Sequence, residues 1–160
     1  MKRRRVHGAD LAAEHLMTLL TSWQTWAVLA AVFAALTAIF GKIGVAGVPP
    51  DFATLIRTVV ILAFLAVVVA ATGVSMPLSE IAPRTLLFLA LSGLATGLSW
   101  LCYYRVLSLG PASQVAPIDK LSIVIVAVLA ALFLHETPSA KNWLGIAMVC
   151  GGAVLAGMKA

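Results

Sequence analysis

The run FATLIRTVVILAFLAVVVAAT, Phe52–Thr72, carries a single charge, Arg57, along its whole length. At 1.5 Å rise per residue a helix of that length spans about 30 Å, the thickness of bilayer hydrocarbon. It reads as a membrane-crossing helix. Arg57, one turn inside, is then a charge that must face a partner or an aqueous cavity.

Four more runs behave the same way: Trp23 to about Gly44, Thr85–Tyr104, Val115–Leu134 and Asn142–Met158, the last short and glycine-rich. Backbone amides cannot go unpaired in lipid, so helices are the plausible state of all five. A closed barrel would instead show alternating strands of about ten residues, which are absent. Composition agrees: 62% of the 160 residues are hydrophobic and 11% are charged, and the mean hydropathy is +1.06. A water-soluble domain carries about 25% charge. The expectation is an all-α protein, a bundle of five transmembrane helices over residues 23–158, behind a basic segment, 1–22.

The breaks carry turn chemistry. Val48-Pro49-Pro50-Asp51 ends the first run, with Asp51 a candidate cap for the second; Gly73 and Met76-Pro77 end the second; Leu109-Gly110-Pro111 ends the third, with Ser113 a candidate cap for the fourth. Short loops imply antiparallel hairpins, and an odd number of spans puts the termini on opposite sides.

Association between helices in lipid relies on close packing of small residues. Ala30, Ala34, Thr37, Gly41 and Gly44 share one stripe, Gly93 and Gly97 form a GxxxG, and Gly145, Gly152 and Ala156 share a face. These stripes fit packing within the chain or contact between copies. On the third helix Gly93, Gly97, Trp100 and Tyr104 share a face, with Tyr103 beside them; the rings read either as interfacial anchors or as an aromatic wall for an organic solute.

The ionisable residues are the sharpest signal. Asp119 and Lys120 lie inside the fourth run, just after Pro117, about 100° apart around a helix. Lys120 can snorkel or face a cavity; Asp119 is expected to pair with a cation on a neighbouring helix. Lys42, Arg57, Arg105, Asp119, Lys120 and Asp51 all fall at the end of the bundle that holds the first loop. Such a vestibule suits an anionic or zwitterionic solute, and the same charges also fit a loop bias for cations. That side holds Lys42, Arg57, Arg105, Lys120 and Lys159, five cations, against six on the other: Lys2, Arg3, Arg4, Arg5, Arg84 and Lys141. The balance leaves orientation open and permits insertion both ways. Translation from Met17 would make it five against two. Leu11, Leu16, Leu19 and Leu20 suit a short interfacial helix, and Asp10 and Glu14 argue against a signal peptide.

Other functions lack their residues. No His or Cys pair has metal-ligand spacing, and Cys102 and Cys150 read as small packing residues. Basic residues do not alternate with aromatics as in nucleic-acid binders. No paired acids or Ser–His arrangement for an intramembrane enzyme is evident. No catalytic residue, cofactor or metal is expected.

Residues 105–118, RVLSLGPASQVAPI, resemble the "AL..GPAS.VAPI" signature of EamA-type drug/metabolite transporters. Leu121–Leu134 followed by His135-Glu136, Asn142-Trp143-Leu144-Gly145 with Gly151-Gly152-Ala153, and Phe40-Gly41-Lys42-Ile43-Gly44 are similar to other helices of that family, so the likeness covers roughly 23–158. Most such relatives have ten helices in two inverted halves, with the solute site between halves near mid-membrane. The resemblance therefore implies a half-size bacterial inner-membrane carrier that works as a homodimer, antiparallel if both orientations occur. The proton-binding carboxylate that small multidrug exporters carry in their first helix has no counterpart in Trp23–Gly44. The expected function is export of a small metabolite or drug, with Lys120 and Asp119 setting charge selectivity, Trp100, Tyr103 and Tyr104 touching the solute, and Lys42 at the mouth. The alternative is a non-transporting membrane partner that packs through its glycine faces.

Overall fold

A computed structural model describes residues 21–158. The expected interfacial segment and Lys159 lie outside the described residues. The helices are α1 (Trp23–Gly44), α2 (Pro50–Thr72), α3 (Pro83–Leu109), α4 (Ala112–Asp119), α5 (Ser122–Phe133) and α6 (Ala140–Gly157), with a short 3-10 turn at Leu78–Glu80. Among the described residues there is no strand. Five segments are long and apolar enough to cross a membrane: α1, α2, α3, α4 with α5, and α6.

Proline and glycine set the boundaries. Pro50 and Pro83 sit in the first turns of α2 and α3, where a missing N–H costs nothing. Gly73 ends α2 in the left-handed conformation, φ 66°, and its N–H bonds the Val69 carbonyl. The candidate caps Asp51 and Ser113 do not cap: Pro49 and Pro111 hold the N-cap positions, with no side-chain cap bond. Each candidate is the second residue of its helix. At α6 a side-chain cap does form, Ser139 Oγ accepting from the Asn142 N–H at 3.3 Å. Within the apolar spans, the Thr54, Thr58 and Thr96 hydroxyls donate to carbonyls one turn back, at 2.8–2.9 Å, which spares them burial in lipid unpaired.

The fourth run is not the single helix, Val115–Leu134, that its apolar pattern suggests. It starts earlier, at Ala112, and breaks at Lys120-Leu121. Pro117 offers no N–H to the Ser113 carbonyl. Beyond it the ladder tightens: Lys120 N–H bonds Pro117 O and Leu121 N–H bonds Ile118 O, each at 3.0 Å; Ile123 and Val124 bond back to Lys120 and Leu121. This i to i−3 pattern is 3-10 geometry inserted in a span.

The chain forms two compact units, residues 1–40 and 41–160. In the first, the described part is the bulk of α1. In the second, α2 packs on α3, α3 on α4, and α6 on both α4 and α5. Its core lies at the α1–α2 loop end and consists of Val45, Ala53, Tyr104, Leu107 and Val115, backed by Val48, Tyr103 and Ala112. Gly41 lets the chain approach this core: an added Cβ would stand 3.3 Å from both Leu107 Cδ1 and Tyr104 Oη. Gly44, Gly93, Gly97, Gly145 and Gly152 differ, since a Cβ at each meets nothing within 4 Å. At these positions the helix surface is open rather than packed within this chain.

Candidate functional site

Helix α3 presents two working faces at the core end. Trp100, Tyr104 and Leu107, at i, i+4 and i+7, form the first. Tyr104 and Leu107 enter the core, and the Trp100 ring carries the Arg57 guanidinium from α2, 3.9 Å from its centroid. The Tyr104 ring lies 5.4 Å from the same guanidinium. Ser99, Cys102, Tyr103 and Val106 form the second face. With Val115, Ile118 and Asp119 of α4 they line a cavity of about 190 Å³. Tyr103 lies within electrostatic reach of both Asp119 and Arg57.

Depth gives this belt its meaning. Arg57 and Asp119 each sit seven residues past the start of their helices, about 10 Å along the axis. Tyr103 and Trp100 lie at comparable distances from the end of α3. The polar groups thus ring one level, about a third of the way into a membrane about 30 Å thick.

The candidate residues divide as follows. Asp119 and Lys120 pair with each other, Nζ to Oδ2 at 3.2 Å, rather than with a cation on another helix. The two residues are consecutive, and both belong to the 3-10 turn at the end of α4. Tyr103 lines the cavity and Trp100 holds Arg57. Tyr104 is buried. Lys42 donates to the carbonyls of Leu107 at 2.5 Å and Gly110 at 2.8 Å, placing a cation on the negative end of α3. The structure thus brings Trp100, Tyr103, Tyr104 and Asp119 around one level, with Lys120 at its edge; Lys42 stands one layer nearer the loops.

Arg57, placed in the charged vestibule from sequence but given no contact with the solute, joins the belt, and so do Ser99 and Cys102, which sequence did not single out for the site. Each had a signal: Arg57 is the one charge within the apolar run Phe52–Thr72, and Ser99 and Cys102 share the i, i+3, i+4, i+7 face of Tyr103 and Val106. Among the described residues no group of three or more His, Cys, Asp or Glu could hold a metal.

Comparison with known proteins gives this membrane architecture a family. The EamA-like transporter family matches residues 21–158. An uncharacterized transporter in the cobO 3' region of Sinorhizobium sp. is 63% identical over 134 residues, covering 84% of this chain and 95% of that protein. A protein of Yersinia pestis (strain Pestoides F) named as probable 4-amino-4-deoxy-L-arabinose-phosphoundecaprenol flippase subunit ArnE is 34% identical over 71 residues, 44% of this chain and 62% of that protein. No solved structure matches significantly. The matching family is described as transporters, and its match runs through every described span, from α1 to α6. The chain belongs to the EamA-like transporter family and is a multi-pass membrane protein.

Proposed function

We propose that this chain is a half-size secondary transporter of the bacterial inner membrane that exports a small organic solute, a metabolite or drug, as a homodimer. The observation that carries the reading is the broken fourth span. Transporter sites are commonly built where a membrane helix is interrupted and its loosened backbone lines a cavity. Here the interruption falls at Lys120-Leu121, with Asp119 on the wall of the cavity between α3 and α4. In this reading Lys120 and Asp119 select charge, Tyr103 and Trp100 contact the solute, Tyr104 backs them, and Lys42 stands at the mouth.

Pairing supports the same reading. The cavity, about 190 Å³, is smaller than the 300–1,000 Å³ of ordinary small-molecule sites. A second copy, antiparallel in the simplest arrangement, would enlarge it. The Yersinia relative is itself named a subunit. Residues 23–158 are the transporting unit in this scheme, and 1–22 a basic segment at the membrane surface.

Proteoliposomes loaded with a panel of solutes test the proposal. Flux of at least one solute above empty vesicles is expected. Absence of any flux, together with a strictly monomeric protein, overturns it. The open faces at Gly93 and Gly97 favour a second reading, a non-transporting partner of another membrane protein. That reading expects a stoichiometric companion on purification and no flux of its own.

A further inference from the structure

Among the described charges at the α1–α2 loop end, all but one have a polar partner. Arg105 pairs with Asp51 at 3.1 Å. Lys120 pairs with Asp119. Lys42 donates to two carbonyls. Arg57 has only rings: Trp100 at 3.9 Å and Tyr104 at 5.4 Å. Its Nη1 is closed off from solvent and makes no hydrogen bond.

A ring face attracts a cation but accepts none of its in-plane N–H bonds. A guanidinium nitrogen sealed from water without an acceptor is costly, the more so in a membrane span. Stacking on Trp100 fixes the plane of the head and leaves its edge as a preset fork. A planar fork of this kind matches a carboxylate or phosphate, two acceptors to two donors. Charge counting agrees: with the Asp51–Arg105 and Asp119–Lys120 pairs neutral, Lys42 and Arg57 leave this end two positive charges in excess, and of the two only Arg57 lacks an acceptor. Arg57 is half-buried as a residue, so an acceptor can approach its open side, and a small turn of the head brings the closed-off Nη1 to it.

We propose that Arg57 is an oxyanion-binding residue, taking a carboxylate or phosphate carried by the solute or by a lipid headgroup. For the solute this rests on the transport reading above and narrows its substrate class to organic anions and zwitterions.

The stack supplies its own reporter. Substituting Trp23→Phe, Trp26→Phe and Trp143→Phe leaves Trp100 as the single tryptophan, in contact with the group that binds. In phosphatidylcholine vesicles, hexyl phosphate and hexanoate are expected to shift Trp100 emission saturably, while hexylamine and hexanol do not. Arg57→Gln is expected to raise the half-saturating concentration at least about tenfold, and Arg105→Gln to leave it unchanged. In phosphatidylglycerol vesicles, emission already at the saturated position without probe identifies the headgroup as the oxyanion's source; a remaining response to probe identifies a free anion. Either supports the assignment. No shift in either vesicle, an equal shift with hexylamine or hexanol, or an unchanged response in Arg57→Gln overturns it. The titration of the parent reporter decides even if Arg57→Gln does not fold. Flux in the solute panel without an anion response removes this assignment and leaves transport standing. An anion response without flux removes transport and leaves the assignment.

Discussion

The Arg57 guanidinium lies over the Trp100 ring, 3.9 Å from its centroid, and so ties α2 to α3 below the loop end. A part-desolvated contact of this kind is worth about 1–2 kcal/mol. Trp100→Leu keeps an apolar side chain but removes the ring. It is expected to lower unfolding stability by about that amount, read by far-ultraviolet circular dichroism in a denaturing-detergent titration. It should also weaken the binding of any solute that Arg57 holds. An unchanged midpoint would mean that the stack does not tie the helices.

Lys42 and Arg105 make a contrasting pair of cations. The Lys42 ammonium donates to two carbonyls at the end of α3, and the side chain is half-buried. Lys42→Met strands both carbonyls and is expected to cost about 2–4 kcal/mol. The Arg105 and Asp51 side chains are 64% and 62% exposed, and Asp51→Asn is expected to cost less than about 1 kcal/mol. The same detergent titration ranks them. Equal costs would contradict the assignment of Lys42 to the corner of α3 and α4.

The glycines divide by what surrounds them. Gly41→Val drives a branched side chain against Leu107 and Tyr104, both buried, and is expected to cost about 1–3 kcal/mol. Gly93→Val and Gly97→Val meet open space and should leave the stability of one copy unchanged. If the faces they occupy join two copies, these variants shift the protein from dimer to monomer, counted by single-molecule photobleaching in vesicles. Dimers that survive both substitutions would place the contact elsewhere.

These positions show which features a linear reading reaches. The five spans were legible because hydropathy integrates over about twenty residues, and each run exceeds that length. The charged level was legible too, since Asp119 and Lys120 stand out in an apolar background. Three things depended on geometry that composition does not carry. The caps at Asp51 and Ser113 failed because proline already begins α2 and precedes α4. The partner of Asp119 proved to be its sequence neighbour because two adjacent side chains of this length can reach each other even when they leave the backbone about 120° apart, so angular spacing alone does not decide pairing. The division of α3 into a Trp100–Tyr104 face and a Ser99–Tyr103 face depends on which helices lie to either side, so the aromatic stripe alone does not separate a structural ring from a cavity wall.

Pro117 is the residue on which the broken span, and with it the transport reading, turns. Pro117→Ala restores an N–H to the Ser113 carbonyl and allows α4 and α5 to join into one helix. Hydrogen exchange at Lys120 and Leu121 is expected to slow by about tenfold as their 3-10 bonds give way to α-helical ones. The five spans should persist, since their apolar length is untouched. A straightened span also moves Asp119 and Lys120 off the 3-10 turn onto regular α-helix, which re-aims their ion pair relative to the cavity. Flux of any solute found in the proteoliposome panel should then fall at least about tenfold while the folded fraction holds. Slower exchange with undiminished flux would show that the break is a consequence of proline alone and that the site does not depend on it.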